Sequence, residues 1–188
     1  FLDESGSVAY GDIGLGLLDA SPFVSHSFLR DLAPSPGDPS YWGRLYSLDV
    51  TPGHIRGVDG LVVLRPRVGR EAFAEGAADL TVIGRSGAGY DKIDLAACTE
   101  HGVAVFNAPS ALNHSTASTA LLFLLALAKR LPEQDRITRA GRWDLQASTM
   151  GGELPGRTLG IVGLGHSGRE LARLVAPFGM RLLAHSPH

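Results

Sequence analysis

From Gly57 onward the chain repeats one arrangement: a short apolar run rich in β-branched residues, a turn of glycine and polar residues, then apolar positions at helical spacing. Leu61 to Leu64 is continuously apolar, as a strand buried on both faces is. GREAFAEGA, over 69–77, has helical spacing and leads to a strand over 80–84, LTVIG. KIDLAACTEHG, over 92–102, predicts a second helix stopped by Gly102, and VAVFN, over 103–107, a third strand. Strands and helices in alternation predict a parallel sheet with helices packed on it, an α/β fold.

The texture changes at Ser115. STASTALLFLLALAKRL, to Leu131, is apolar on nearly every side, which predicts a helix enclosed over most of its circumference and ended by Pro132. Such a helix suits the space between two packed units. Residues 1–112 are therefore expected to form one domain, 113–131 a crossing helix, and 132–188 the start of a second domain. That second part predicts a helix over 133–140, then a strand over 159–162, a helix over 167–177 and a strand over 180–184, a single βαβ unit. The first fifty residues are rich in Gly, Pro, Ser and Asp, including APSPGDPS at 33–40. There SPFVSHSFLRDL, over 21–32, has the spacing of a short helix, and Phe1 and Leu2 read as the tail of a strand. The chain opens without methionine, and both of its ends read as cut.

Composition narrows the partners. In 188 residues, 17 Lys plus Arg stand against 19 Asp plus Glu, so there is no broad positive field for nucleic acid or an anionic membrane, and a small polar ligand is expected. The longest apolar run, Ala120 to Ala128, is far short of the roughly 20 residues a membrane span needs. No leader pattern opens the chain, which makes the cytoplasm the expected compartment. The single cysteine, Cys98, leaves no internal disulfide and no cysteine set for a metal, and its helical surroundings predict a small buried apolar role. Arg136 and Arg139 read as a solvated helix face, and Trp143 as a core or contact residue.

Two stretches carry candidate chemistry. GIVGLGHSG puts Gly163, Gly165 and Gly168 between a predicted strand and a predicted helix. In that setting the first glycine allows a tight turn, the second lets the backbone approach a pyrophosphate, and the third lets helix and strand pack closely. His166 and Ser167 then lie at the phosphates, where free helix N–H groups meet the anion. The second stretch is IGRSGAGYDKID, over 83–94. A glycine-rich turn after a strand gathers N–H groups into a nest for a carboxylate, and Arg85 adds a cation that forks onto one. Equally, this is a plain strand-to-helix turn capped by Asp91.

GRSGAGYDKIDLAACTEHGVAVFNAPSALNHSTASTALLFLLALAKRLP, followed by GRW and by GGELPGRTLGIVGLGHSGRELARLVAPFGM, resembles the D-isomer-specific 2-hydroxyacid dehydrogenases, on their phosphoglycerate dehydrogenase side. The likeness runs from about Gly57 to the last residue. It implies a flavodoxin-like substrate domain, the first βαβ unit of a Rossmann cofactor domain, and a crossing helix between them. It implies further that the backbone of Ala88 and Gly89 receives the substrate carboxylate, that Thr116 lies near the nicotinamide, and that the protein interconverts a D-2-hydroxyacid and its 2-oxoacid with NAD or NADP, as a homodimer.

The chain departs from the family pattern at several points. Ser118 stands where an acid is usual, and Ala108 and Ser110 where a threonine and a glycine are usual. Ser186 stands where an acid would bind the cofactor ribose, so NADP is expected to be favoured slightly over NAD. The family's arginine, histidine and histidine-tuning acid are expected beyond His188, so no catalytic residue is assigned within the chain and the chain alone is expected to be inert. His101 reads as a surface or helix-end residue, and His114 as near the mouth of the cleft but not catalytic. Two other readings stay open: a nucleotide-sensing binding protein resembling the C-terminal-binding co-repressors, and a formate or phosphonate dehydrogenase on the same scaffold.

Overall fold

The computed structural model describes residues 14–29, 37–75 and 79–187. The strand tail at Phe1 and Leu2 lies outside them. Two compact units are present, one up to Ala108 and the other from Pro109 on. The architecture is α/β throughout, with helices α1 (Leu15–Asp19) and α2 (Tyr41–Tyr46) on either side of the stretch 21–32 where a helix is expected. Residues 21–29 are turn and coil, and 30–32 lie outside the described residues.

The first unit is built on three parallel strands, β1 (Gly60–Val63), β2 (Val82–Arg85) and β3 (Ala104–Asn107), in that spatial order. The register sets Leu61, Ile83 and Val105 side by side, and the next row on the same face is Val63, Arg85 and Asn107. The core forms beneath this face from Val50, Ile55, Val68, Ala72, Phe73, Ile93, Ala97, Cys98 and Val103. On the opposite face Val62, Gly84 and Phe106 are neighbours, with Val62 and Phe106 exposed.

Local chemistry closes the helices of this unit. In α3 (Pro52–Ile55), Pro52 sits in the first turn, where its missing N–H costs nothing, and the Thr51 N–H donates to His54 Nδ1 at 3.0 Å. The next helix, α4 (Leu95–Glu100), is capped by Asp94, whose carboxylate accepts the Ala97 N–H at 2.9 Å, and is followed by Gly102 at φ +70°. Asp94, not Asp91, is thus the capping residue. The helix expected over 69–77 is a 3-10 turn, Arg70–Phe73, whose adjacent residues Ala72 and Phe73 are both buried. Burial of neighbours suits a tight turn pushed into the core better than an amphipathic helix lying on it.

The second unit holds α5 (Asn113–Ala128), α6 (Leu131–Arg139), β4 (Thr158–Val162), α7 (His166–Val175) and β5 (Arg181–His185), with β4 and β5 parallel. The apolar helix ends three residues earlier than expected because Arg130 adopts φ +52° and Pro132 opens the first turn of α6. Full enclosure is not what α5 shows. It packs on α7, only Ala117 is fully buried, and Leu122, Phe123 and Leu127 are exposed at 56%, 61% and 77%. One flanking helix covers one face and leaves the other bare. Trp143 is exposed too, because it lies in a short surface turn, Trp143–Leu145, pinned by the Arg142–Asp144 ion pair at 2.7 Å. Arg139 pairs with Asp135 one helical turn back, so that face of α6 is solvated as expected. No helix of the described residues is long and apolar enough to cross a membrane.

Ile83 occupies the middle of the central strand with none of its surface exposed. Ile83→Ala should cost about 2–5 kcal/mol, because removal of buried carbons in a rigid sheet leaves a cavity. Urea unfolding followed by circular dichroism checks this, and a loss under about 1 kcal/mol would place the core elsewhere.

Candidate functional site

The turn after β2 is held from both neighbouring strands. Ser86 donates its N–H to the Val63 carbonyl of β1 at 2.8 Å, and the Gly87 carbonyl accepts the Ala108 N–H beyond β3 at 3.0 Å. Asn107, the last residue of β3, donates from its side-chain amide to the Ala88 carbonyl at 2.7 Å. The Ala88 and Gly89 N–H groups have no acceptor among the described residues. Gly87 is required by its φ of +141°, a conformation that side-chain-bearing residues rarely adopt. The Arg85 guanidinium curls back beside it to donate to the Ser86 carbonyl, which brings a positive charge against the turn.

The glycine loop belongs to the second unit. Gly163 leaves β4 at φ +93° while its N–H still donates to the His185 carbonyl of β5 at 2.8 Å. Gly165 is the residue before α7, in extended conformation, with open space where a side chain would go. His166 and Ser167 are the first two residues of α7. A Cβ on Gly168 would run into the Gly163 carbonyl oxygen, so no side chain fits there. The N–H groups of His166, Ser167 and Gly168 have no acceptor among the described residues, as expected of a helix start. Arg169 braces the loop by donating from Nε to the Leu164 carbonyl at 3.0 Å. Thr116 lies exposed in the first turn of α5, and Ser186 follows the last residue of β5, also exposed.

A charged cluster joins the two packed helices of this unit. Glu170 on α7 accepts from His114 Nδ1 at 2.9 Å and, on both oxygens, from Arg173 at 2.7 and 2.9 Å. Arg173 first and His114 second hold its carboxyl down to about pH 2. Of the remaining candidates, Cys98 is buried, and burial first, with the Asp94 charge second, pushes its thiol up and away from the reactive thiolate. His101 ends α4 with its ring stacked on Phe73, centroids 5.0 Å apart. Sequence reasoning missed Asn107 and Glu170. The signal for Asn107 was a lone amide closing an otherwise apolar strand. Glu170 had none, since an acid on an amphipathic helix reads as solvated.

Residues 43–173 match the family model for the D-isomer specific 2-hydroxyacid dehydrogenase catalytic domain. The chain is 41% identical over 113 residues to D-3-phosphoglycerate dehydrogenase of Archaeoglobus fulgidus, covering 60% of this chain and 21% of that protein. It is 39% identical over 139 residues to glyoxylate reductase of Thermococcus onnurineus, covering 70% of this chain and 41% of the relative. The crystal structure of an NAD-dependent formate dehydrogenase from Staphylococcus aureus in complex with NAD superposes with a TM-score of 0.61 at 31% identity, over 72% of this chain and 42% of that one. The chain thus spans less than half the length of each.

Glu170 makes the second unit acid-sensitive. A carboxyl lowered from 4.5 to about 2 contributes stability that is fully present above about pH 4.5 and is lost as pH falls toward 2. Thermal melts between pH 6 and 2 should show this loss in the wild type. In Glu170→Gln the melting temperature should be lower at pH 6 and its decline across that window shallower; parallel declines would remove Glu170 as the cause.

Proposed function

The chain belongs to the D-isomer specific 2-hydroxyacid dehydrogenase family, and on that premise we propose that it carries the dinucleotide loop and the carboxylate-binding turn of an NAD(P)-dependent oxidoreductase interconverting a small D-2-hydroxyacid and its 2-oxoacid. The observation that carries this reading is the glycine loop: positive φ at Gly163, open space at Gly165, no room for a side chain at Gly168, and three free N–H groups at the start of α7. These features fit a pyrophosphate. A bound nicotinamide would supply or accept the hydride. The chain's own residues bind and orient: His166, Ser167 and Gly168 donate backbone N–H groups to phosphate oxygens, and Thr116 offers a hydroxyl from the first turn of α5.

The substrate carboxylate is assigned to the Ala88 and Gly89 N–H groups, with Arg85 adding positive charge. Support comes from two bonds that fix the peptides carrying these donors: Asn107 holds the Ala88 carbonyl, opposite the Gly89 N–H, and the Ala108 N–H holds the Gly87 carbonyl, opposite the Ala88 N–H. The domain reading of 1–112, 113–131 and 132–188 goes with this assignment. We further propose a homodimer, in which a second copy covers the bare apolar face of α5 at Leu122, Phe123 and Leu127, and a site of action in the cytoplasm. Neither nucleic acid nor membrane has a part in this reading, since the net charge is only −2.

Cofactor choice rests on the end of β5. His185 and the exposed Ser186 stand there without an acid, so a 2′-phosphate meets no like charge and a hydroxyl is available to donate to it. NADP is accordingly favoured slightly over NAD.

Two measurements test these statements. Gly165→Ala, with open space around its Cβ, should leave the melting temperature within about 2 °C. Yet it should abolish or strongly weaken NADPH binding in titration calorimetry, because the new methyl occupies the ground of the pyrophosphate. Undiminished binding would sink the loop assignment. Ser186→Asp should shift the ratio of NADPH to NADH affinity toward NADH by about ten-fold, roughly 1.4 kcal/mol. A ratio that does not move means that Ser186 does not face the ribose.

A further inference from the structure

We infer that His114 is a positioning residue of the dinucleotide site: its Nδ1–H, donated to Glu170, fixes the first turn of α5, which carries Thr116, against α7, whose first turn receives the pyrophosphate. The inference rests on the dinucleotide reading above and adds to it a residue that makes no contact with the ligand.

Three observations lead here. The first is that α5 begins without a side-chain cap, since Leu112 occupies the capping position and offers no acceptor to the free N–H groups. The Asn113 N–H is met by the Ser110 carbonyl at 3.3 Å, but the His114 and Ser115 N–H groups have no acceptor among the described residues, and the Ser118 and Thr119 hydroxyls further along donate back to the Ser115 carbonyl, at 3.1 and 2.8 Å. An uncapped first turn frays unless something outside the helix holds it.

The second is the nature of the packing between α5 and α7. Close packing of the two helices fixes their separation and crossing angle, but it does not by itself tie down the uncapped first turn of α5. Among the described residues, His114 to Glu170 is the polar link between these helices, and at 2.9 Å it is a directional one. The third is the preparation of the acceptor. Arg173 grips both oxygens of Glu170 from one turn further along α7, so the carboxylate is aimed before His114 arrives. The Glu170 side chain is only 21% exposed, against 69% for His114, so the acceptor is the fixed end of the bond and the histidine the end that α5 brings to it. Charges facing His114 across this contact are Glu170 and Arg173, both on α7.

The geometry acts at a distance of two residues. Thr116 follows His114 in the same turn, and Glu170 follows Gly168 in the helix that the glycine loop opens. Loss of the link lets the Thr116 end of α5 move relative to the loop, and ligand binding must then include the cost of ordering it.

The test uses the whole chain with three side chains at position 114. His114→Leu keeps bulk and removes the donor; His114→Asn restores an amide N–H at the place of Nδ1. NADPH and NADH affinities are measured by fluorescence titration, and the amide exchange of Thr116 is measured without ligand. The leucine variant should bind dinucleotide about three- to five-fold more weakly and exchange the Thr116 amide faster, while the asparagine variant returns both toward wild type. Equal affinity in wild type and His114→Leu, or an asparagine variant as weak as the leucine one, overturns the inference alone. A wild-type chain that binds neither dinucleotide overturns the reading beneath it, and this inference with it.

Discussion

A single missing carbon atom governs the second half of this protein. Where Gly168 passes the Gly163 carbonyl there is no room for a side chain, and that closeness seats α7 directly on the end of β4. Everything downstream of the approach follows from it. The free N–H groups at the start of α7 come to stand beside the loop instead of beyond it, the Gly163 N–H keeps its bond to β5, and the far flank of α7 is presented to α5. A helix set an ångström or two further out would lose the loop geometry and the seat of α5 together.

The first unit solves a related problem by different means. Its turn after β2 is not enforced by close packing but by hydrogen bonds reaching in from the strands on either side, Val63 from one and Asn107 with Ala108 from the other. Because the three strands are parallel and in register, their ends arrive at the same level, and the middle strand's turn is braced symmetrically. Both units therefore put free backbone donors at the C-terminal end of a parallel strand, where anions are bound in α/β proteins generally. One uses steric exclusion and the other a clamp.

What could be read from the sequence, and what could not, divides along the range of the forces involved. Strands at 61–64, 80–84, 103–107, 159–162 and 180–184 each lie within one or two residues of their places, because continuous apolar runs bounded by glycine are local signals. The glycine loop was equally readable, since its spacing and setting are encoded within a few residues. Burial was not. The apolar circumference of α5 predicts enclosure, but composition says only that a surface is apolar, and Leu122, Phe123 and Leu127 stand in the open. Trp143, likewise apolar, lies exposed and outside the core. Asn107 and Glu170 escaped because their partners lie 19 and 56 residues away, at Ala88 and His114, and no local pattern announces such a pairing.

Cys98 gives this protein a built-in reporter. It is the one thiol in the chain, it lies in the core of the first unit with 1% of its surface exposed, and burial keeps it protonated. A thiol reagent must wait for that core to open before it finds a thiolate, so the labelling rate in native buffer counts openings of the first unit and is blind to motion confined to the second. Opening of the first unit can thus be timed apart from any motion of the second, without any residue being added or removed.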